Sequence, residues 1–249
     1  MAPLTVLTWN LQGQAAEQVG LSAVLARHQP DLVFLQEADA SALAAEPSNA
    51  DWLAHSYTDG AAGSWPGMAI LSRLPLRRAS TLRLAPDIWD RPRILVASVA
   101  HARGELLAVC VHAKAPMPVP FLHAGPRNRQ LADLTVWLAE QSAPGQQMVV
   151  AGDFNAVSWR LDGLLDAAEA VGSADATWRP IGVPWLPAVL RLDRVFVSPS
   201  IGVNSLTVAC ASSRSDHCPV IAEIELGDGR HYGPSLMMVS PPNTNGSSI

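Results

Sequence analysis

Short apolar runs, each closing on a polar residue, recur along the chain. The first, Leu4-Thr5-Val6-Leu7-Thr8-Trp9-Asn10, is rich in β-branched side chains and predicts a strand that stops at an asparagine. Leu21, Val24, Leu25 and His28 then recur at helical spacing, and Pro30 ends that helix. Leu32-Val33-Phe34-Leu35 reads as a buried strand running into Gln36-Glu37, and Gly67-Met68-Ala69-Ile70-Leu71-Ser72 as another. Residues 94–100 and 106–112 form a hairpin around Arg103-Gly104. Leu131, Leu134 and Leu138 predict a second amphipathic helix, with the buried strand Met148-Val149-Val150-Ala151 after it. Leu161, Leu164, Leu165 and Ala168 predict a third helix. Residues 192–197 and 219–226 close the series as strands, the last alternating Val220, Ala222 and Ile224 with Glu223 and Glu225. Many strands with a few helices between them predict two packed sheets with helices outside.

Composition narrows the class. The hydrophobic fraction is 49% and the charged fraction 16%, which excludes a disordered chain. No linker divides the middle, so 249 residues make one large domain, residues 1–227, while a Gly, Pro, Ser and Asn-rich stretch, 228–249, reads as a flexible tail. A net charge of -5 disfavours avid, sequence-blind binding to nucleic acid, although a local basic cleft and a metal can outweigh it. Cys110, Cys210 and Cys218 lack metal-site spacing and are odd in number, so no disulfide framework is expected and all three read as small buried apolar residues. Without a signal peptide or a membrane-length apolar run, the expectation is a cytoplasmic protein with no obligate protein partner.

The informative feature is the polar chemistry at the strand ends, where a rigid scaffold gives way to free loops. In Gly152-Asp153-Phe154-Asn155 the extended spacing puts Asp153 and Asn155 on one face and Phe154 in the core. Glu37 ends a buried strand, where a carboxylate needs a partner or a metal. With Asn10 and Asp216 it offers the oxygen donors preferred by Mg²⁺ or Mn²⁺, and no His/Cys cluster argues for zinc. In Ser215-Asp216-His217-Cys218-Pro219-Val220, His217 is a candidate acid/base whose orienting carboxylate would be Asp193, an acid inside a buried strand.

Taken in order, Thr8-Trp9-Asn10, Gln36-Glu37, Val111-His112, Gly152-Asp153-Phe154-Asn155, Leu192-Asp193 and Ser215-Asp216-His217 resemble the endonuclease/exonuclease/phosphatase superfamily over residues 4–226. The resemblance implies an α/β fold of the deoxyribonuclease I type: a four-layer sandwich of two mainly antiparallel sheets flanked by helices. It implies a hydrolase of phosphoric esters using Mg²⁺ or Mn²⁺. By matching position, Glu37 is the principal metal ligand, helped by Asn10 and Asp216. Asp153 orients or deprotonates the attacking water, Asn155 holds the phosphate, and Asp193–His217 stabilises it or exchanges protons. His112 protonates the leaving oxygen.

Substrate is less legible. Arg93, opening a strand toward the same region, is the best cationic phosphate contact, ahead of Lys114, Arg127 and Arg129. Trp65, Trp89, Trp159, Trp178 and Trp185 could stack on bases or pack down as lids. The uncharged run Ile181-Gly182-Val183-Pro184-Trp185-Leu186-Pro187-Ala188-Val189-Leu190 is a candidate contact for lipid or another apolar substrate portion. The leading expectation is cleavage of phosphodiesters with nucleic acid as substrate. Its alternatives are hydrolysis of phospholipids or small phosphate esters, and a non-catalytic binding module on the same scaffold.

Overall fold

The computed structural model describes residues 3–14, 20–39, 43, 55–58, 67–84, 93–115, 120–143, 145–180 and 186–227. Among the described residues, twelve strands form two six-stranded sheets. The first contains β1 (Leu4–Asn10), β2 (Leu32–Ala38), β3 (His55–Thr58), β4 (Gly67–Ser72), β11 (Gly202–Val208) and β12 (Val220–Glu225), in the order β11-β12-β1-β2-β4-β3. The second contains β5 (Leu76–Leu82), β6 (Ile94–His101), β7 (Gly104–His112), β8 (Gln147–Asp153), β9 (Leu165–Asp166) and β10 (Asp193–Val197), in the order β5-β6-β7-β8-β10-β9. Each sheet has one parallel pair at its centre, β1–β2 and β7–β8, and antiparallel neighbours elsewhere. A parallel pair needs a long crossover. Here the crossovers are helices: α1 (Leu21–His28) joins the first pair and α2 (Pro120–Gln141) the second.

Side-chain alternation sorts the apolar residues into three layers of contact. Val6, Leu32, Phe34 and Ile70 of the first sheet meet Leu95, Ala97, Ala108 and Val149 of the second between the sheets. Their neighbours Leu7, Trp9, Val33 and Leu35 point the other way, onto Leu21, Val24 and Leu25 of α1. On the far side Ile94, Val109, Met148 and Phe196 pack on Leu131, Leu134 and Leu138 of α2. Central strands buried on both faces read as unbroken apolar runs, which is why they are visible in the sequence. The molecule is the expected four-layer sandwich. Among the described residues no helix is long and apolar enough to cross a membrane.

Three expectations are corrected. The third helix is reduced to α3 (Ala167–Ala170), because β9 intervenes and Asp166 caps the helix by accepting from the Ala168 N–H at 2.9 Å. The strands β3, β5 and β11 have no counterpart in the apolar pattern of the sequence. Cys210 and Cys218 are joined in a disulfide with their Cα atoms 4.5 Å apart, whereas Cys110 is free and buried as expected. Residues 181–185, Trp65, Trp89 and the tail 228–249 lie outside the described residues.

Candidate active site

The carboxyl ends of both parallel pairs open at one rim, the position where open α/β sheets present their sites. β1 ends in Asn10, and Glu37 lies next to the end of β2. β7 and β8 end in His112 and Asp153, paired in register. β10 runs antiparallel to β8 and therefore begins there, with Asp193 opposite Asp153. β12 is antiparallel to β1, so the loop before it delivers Ser215, Asp216 and His217 to the same rim.

Local backbone irregularities aim the side chains. The β2–β4 register shifts between Gln36 and Ala38, and Glu37 inside this bulge has φ 51°. A bulge re-aims one side chain without disturbing the sheet, and here it releases Glu37 from the alternation that buries Gln36. Asn155 also sits in the left-handed region, at φ 49°. Gly152, just before Asp153, has φ +151°, and a Cβ there would run into the Val111 carbonyl oxygen. Only glycine lets β8 approach β7 so closely at this point.

Two amides bind the acids together. The Asn10 Nδ2 donates to Glu37 Oε1 at 3.2 Å and to Asp153 Oδ2 at 3.1 Å, while its Oδ1 accepts from the Gln12 N–H at 2.9 Å. The Asn155 Nδ2 donates to Asp153 Oδ2 and to the Ala113 carbonyl, each at 2.9 Å, and the Asn155 N–H donates to Asp153 Oδ1 at 2.8 Å. Both protons of the Asn155 amide are thus engaged, so the phosphate contact expected of it requires one of these bonds to open. The His112 Nε2 lies 3.5 Å from Glu37 Oε1.

Behind Asp153 stands the imidazole of His217. Its Nδ1 is 2.8 Å from Asp193 Oδ2 and its Nε2 is 3.9 Å from Asp153 Oδ2. Burial acts to lower the His217 pKa, but the carboxylates of Asp193 and Asp153 outweigh it and push it up to about 10. The ring is therefore an imidazolium at neutral pH. Asp153 is raised to about 7, by burial first and by Asp193, against the opposing pull of His217 and of its hydrogen bonds. Burial also raises Glu37, as does the charge of Asp216, while the Asn10 amide, His217 and Arg93 act to lower it.

These groups offer two places for a cation. One ligand atom from each of Asp153, Asp193 and His217 falls within 4.8 Å of the others. That space is already occupied by the imidazolium and its short bond to Asp193. Glu37 and Asp216 are both oxygen donors, and after burial the charge of Asp216 adds to the rise of the Glu37 pKa. Carboxylate oxygens such as those of Glu37 and Asp216 are the hard donors that a divalent ion such as Mg²⁺ takes.

The family model described as Endonuclease/Exonuclease/phosphatase family matches residues 7–217, a span containing every residue of this rim. The chain belongs to that family. It is a hydrolase acting on phosphoester bonds. Solved structures with the same fold include D. rerio TDP2 complexed with a single-strand DNA product, at TM-score 0.74 and 20% identity over 90% of this chain and 100% of that one. C. elegans TDP2 gives a TM-score of 0.74 at 21% identity, over 89% of this chain and 74% of that one. A point variant of the 3′ phosphatase NExo from Neisseria, bound to a product DNA hairpin, gives 0.63 at 21% identity, over 89% and 99%. No curated protein matches the chain.

Arg93 opens β6 and is tied by main-chain bonds to Leu82 and to His112, which puts it beside the rim. Arg127 Nη1 donates to the Asn155 carbonyl at 2.7 Å. Lys114 follows His112 by two residues, with its N–H on Gln130 Oε1 at 2.9 Å. Thr177 and Arg179 carry no signal in the sequence, and Trp178 reads there only as one of several loop tryptophans, yet all three contact the site's acids or its loop. A threonine and an arginine in a run without periodicity give no sign of a partner 16 or 36 residues away.

Proposed function

We propose that the chain is a Mg²⁺- or Mn²⁺-dependent phosphodiesterase acting on nucleic acid. The observation that carries the reading is the convergence at one rim of Asp153 and His217, 3.9 Å apart, with Asp193 on the far side of the imidazole and Glu37 joined to Asp153 through the Asn10 amide. A pKa near the working pH makes Asp153 an efficient acceptor of the proton of an attacking water. Asn10 and Asn155 fix the direction of its lone pairs. Asn155 serves here as the brace of that base. The His217 Nε2–H, 3.9 Å from Asp153 Oδ2, donates to a non-bridging phosphate oxygen as charge grows on it. Asp193 holds the ring's other nitrogen and keeps the imidazolium in place. Glu37 and Asp216, with Asn10 alongside, would hold the divalent ion, which when bound neutralises phosphate charge and stabilises the leaving oxygen. His112, against Glu37, is the donor to that leaving oxygen, and Arg93 and Lys114 are cationic contacts for the flanking phosphates.

Nucleic acid is favoured as substrate because the D. rerio TDP2 and Neisseria NExo structures hold DNA products. The phospholipid alternative gains nothing comparable. Within the uncharged run the described residues fold back, with the Val189 N–H on the Trp178 carbonyl. In the cytoplasm expected from the sequence, Cys210 and Cys218 would stand as thiols, and their loop would rest on hydrogen bonds alone.

The test is hydrolysis of bis-nitrophenyl phosphate, nitrophenyl phosphate, single-stranded oligonucleotides and plasmid with added Mg²⁺ or Mn²⁺. Diester and DNA cleavage are expected, stopped by EDTA and restored by either ion. Asp153→Ala or His217→Ala should lower the rate by roughly 10²–10³ while leaving the fold intact. Activity on the monoester alone would replace the diesterase reading, and full activity after exhaustive chelation would remove the metal.

A further inference from the structure

Thr177 and the two residues after it touch the site from behind, and their contacts fall on Asp193 and on the loop that bears Asp216 and His217. Thr177 is 1% exposed and cannot reach a substrate. Its Oγ1 donates to Asp193 Oδ2 at 2.6 Å and accepts from the N–H groups of Leu192 and Asp193 at 3.1 and 3.0 Å. One hydroxyl thereby spends its donor and both acceptor directions on a single neighbouring residue pair. Holding the N–H and the carboxylate of Asp193 together fixes that side chain's rotamer. This matters because Asp193 Oδ1 is buried with no partner among the described residues, so the carboxylate is held through Oδ2 alone.

The same segment also sets the loop that bears His217. The Thr177 carbonyl accepts from the Cys218 N–H at 2.7 Å, directly after the histidine. Trp178 Nε1 donates to Asp216 Oδ2 at 3.2 Å. Arg179, 4% exposed, donates from its N–H to the Asp216 carbonyl at 2.8 Å. Its guanidinium spans the carbonyls of Ser215 at 2.9 Å, Ser213 at 3.4 Å and Cys210. A guanidinium matched to several loop carbonyls is a rigid fork, which lysine would not replace.

We propose that Thr177 is a positioning residue for the Asp193–His217 pair, acting on Asp193 through its hydroxyl and on the His217 loop through its carbonyl. The inference rests on the proposed acid/base role of that pair, and its test separates the two. Thr177→Val removes the hydroxyl at nearly constant volume, and Thr177→Ser keeps it. With bis-nitrophenyl phosphate and Mg²⁺, Thr177→Val should lose roughly 10–100-fold in kcat, the range for partners that orient a functional group from behind. KM should stay within about twofold, since no substrate contact is removed. Thr177→Ser should restore kcat.

The second readout needs no activity. The proton shared between His217 Nδ1 and Asp193 should give a low-field NMR resonance, assigned by its loss in His217→Gln. It should persist in Thr177→Ser and be lost or move upfield in Thr177→Val, with urea unfolding used to confirm that each variant is folded. Should Thr177→Val fail to fold, Thr177→Ser decides: loss of its resonance or of its kcat overturns the proposal. So does a folded Thr177→Val that keeps either the resonance or wild-type kcat. If the wild type proves inactive on every diester, the functional reading fails while the resonance still tests the positioning role.

Discussion

Asp153 is buried where its charge is costly, and the site needs that charge. Its folded proton affinity is raised from 3.8 to about 7, with burial the largest cause. A group that binds its proton more tightly when folded lends stability while protonated. The contribution of Asp153 is therefore whole below about pH 4 and is lost as pH climbs through 7. His217, raised from 6.5 to about 10, follows the same sign at higher pH: its contribution is whole below 6.5 and is lost toward 10. Asp153→Asn should accordingly be inactive yet more stable than wild type at pH 8, with the gap closing by about pH 4, as measured by urea unfolding at both. Equal stabilities at pH 8 would mean that burial is not what perturbs this acid. Such sites trade stability for function. At this scale the sequence is readable where a polar residue ends an apolar run, as at Asn10, Glu37 and Asp153. It is silent on Thr177 and Arg179, whose roles exist only through partners brought near by folding.

At the scale of elements, the loop Cys210–Cys218 shows how much one short segment can be over-determined. It is closed by a disulfide over a sequence separation of 8. It is also tied by Ser215 Oγ to the Asn10 carbonyl at 2.8 Å and by Trp9 Nε1 to the His217 carbonyl at 3.0 Å. Chain-entropy arguments give a loop of this size about 2–3 kcal/mol of stabilisation. Reduction, or paired Cys210→Ser and Cys218→Ser changes, should lower the unfolding free energy by that amount, read as a lower urea midpoint at constant m. The hydrogen bonds should keep activity measurable below the new midpoint. An unchanged midpoint would show that the bond adds nothing to the folded state. The disulfide escapes the sequence because an odd cysteine count hides a pair beside a free thiol. The strands that escape share a different cause: β3, β11, β5 and β9 are the four sheet edges. An edge strand has a neighbour on one side only and keeps polar or charged residues, such as Arg77 and Arg78 in β5. The central strands are legible because both their faces are dry.

For the whole molecule, a net charge of -5 means that any nucleic acid is met through a few local cations. If Arg93, Lys114 and Arg127 supply two or three phosphate contacts, log KM for a single-stranded oligonucleotide should rise with log salt at a slope of roughly 1.4–2.1. A much steeper slope would require a basic surface other than this rim. The rim itself is split between slabs: Asn10 and Glu37 ride on one sheet, His112, Asp153 and Asp193 on the other. The bond from Asn10 to Asp153 crosses that divide, and deeper in, the Gln36 Nε2 reaches Cys110 Sγ at 3.2 Å across the same boundary. The protein is in this respect a pair of tongs, whose grip depends on the thickness of the filling between its arms. A side chain trimmed or enlarged at Phe34 or Ala108 touches no reacting group, yet it would open or skew the jaws and dull the chemistry well before the chain let go of its shape.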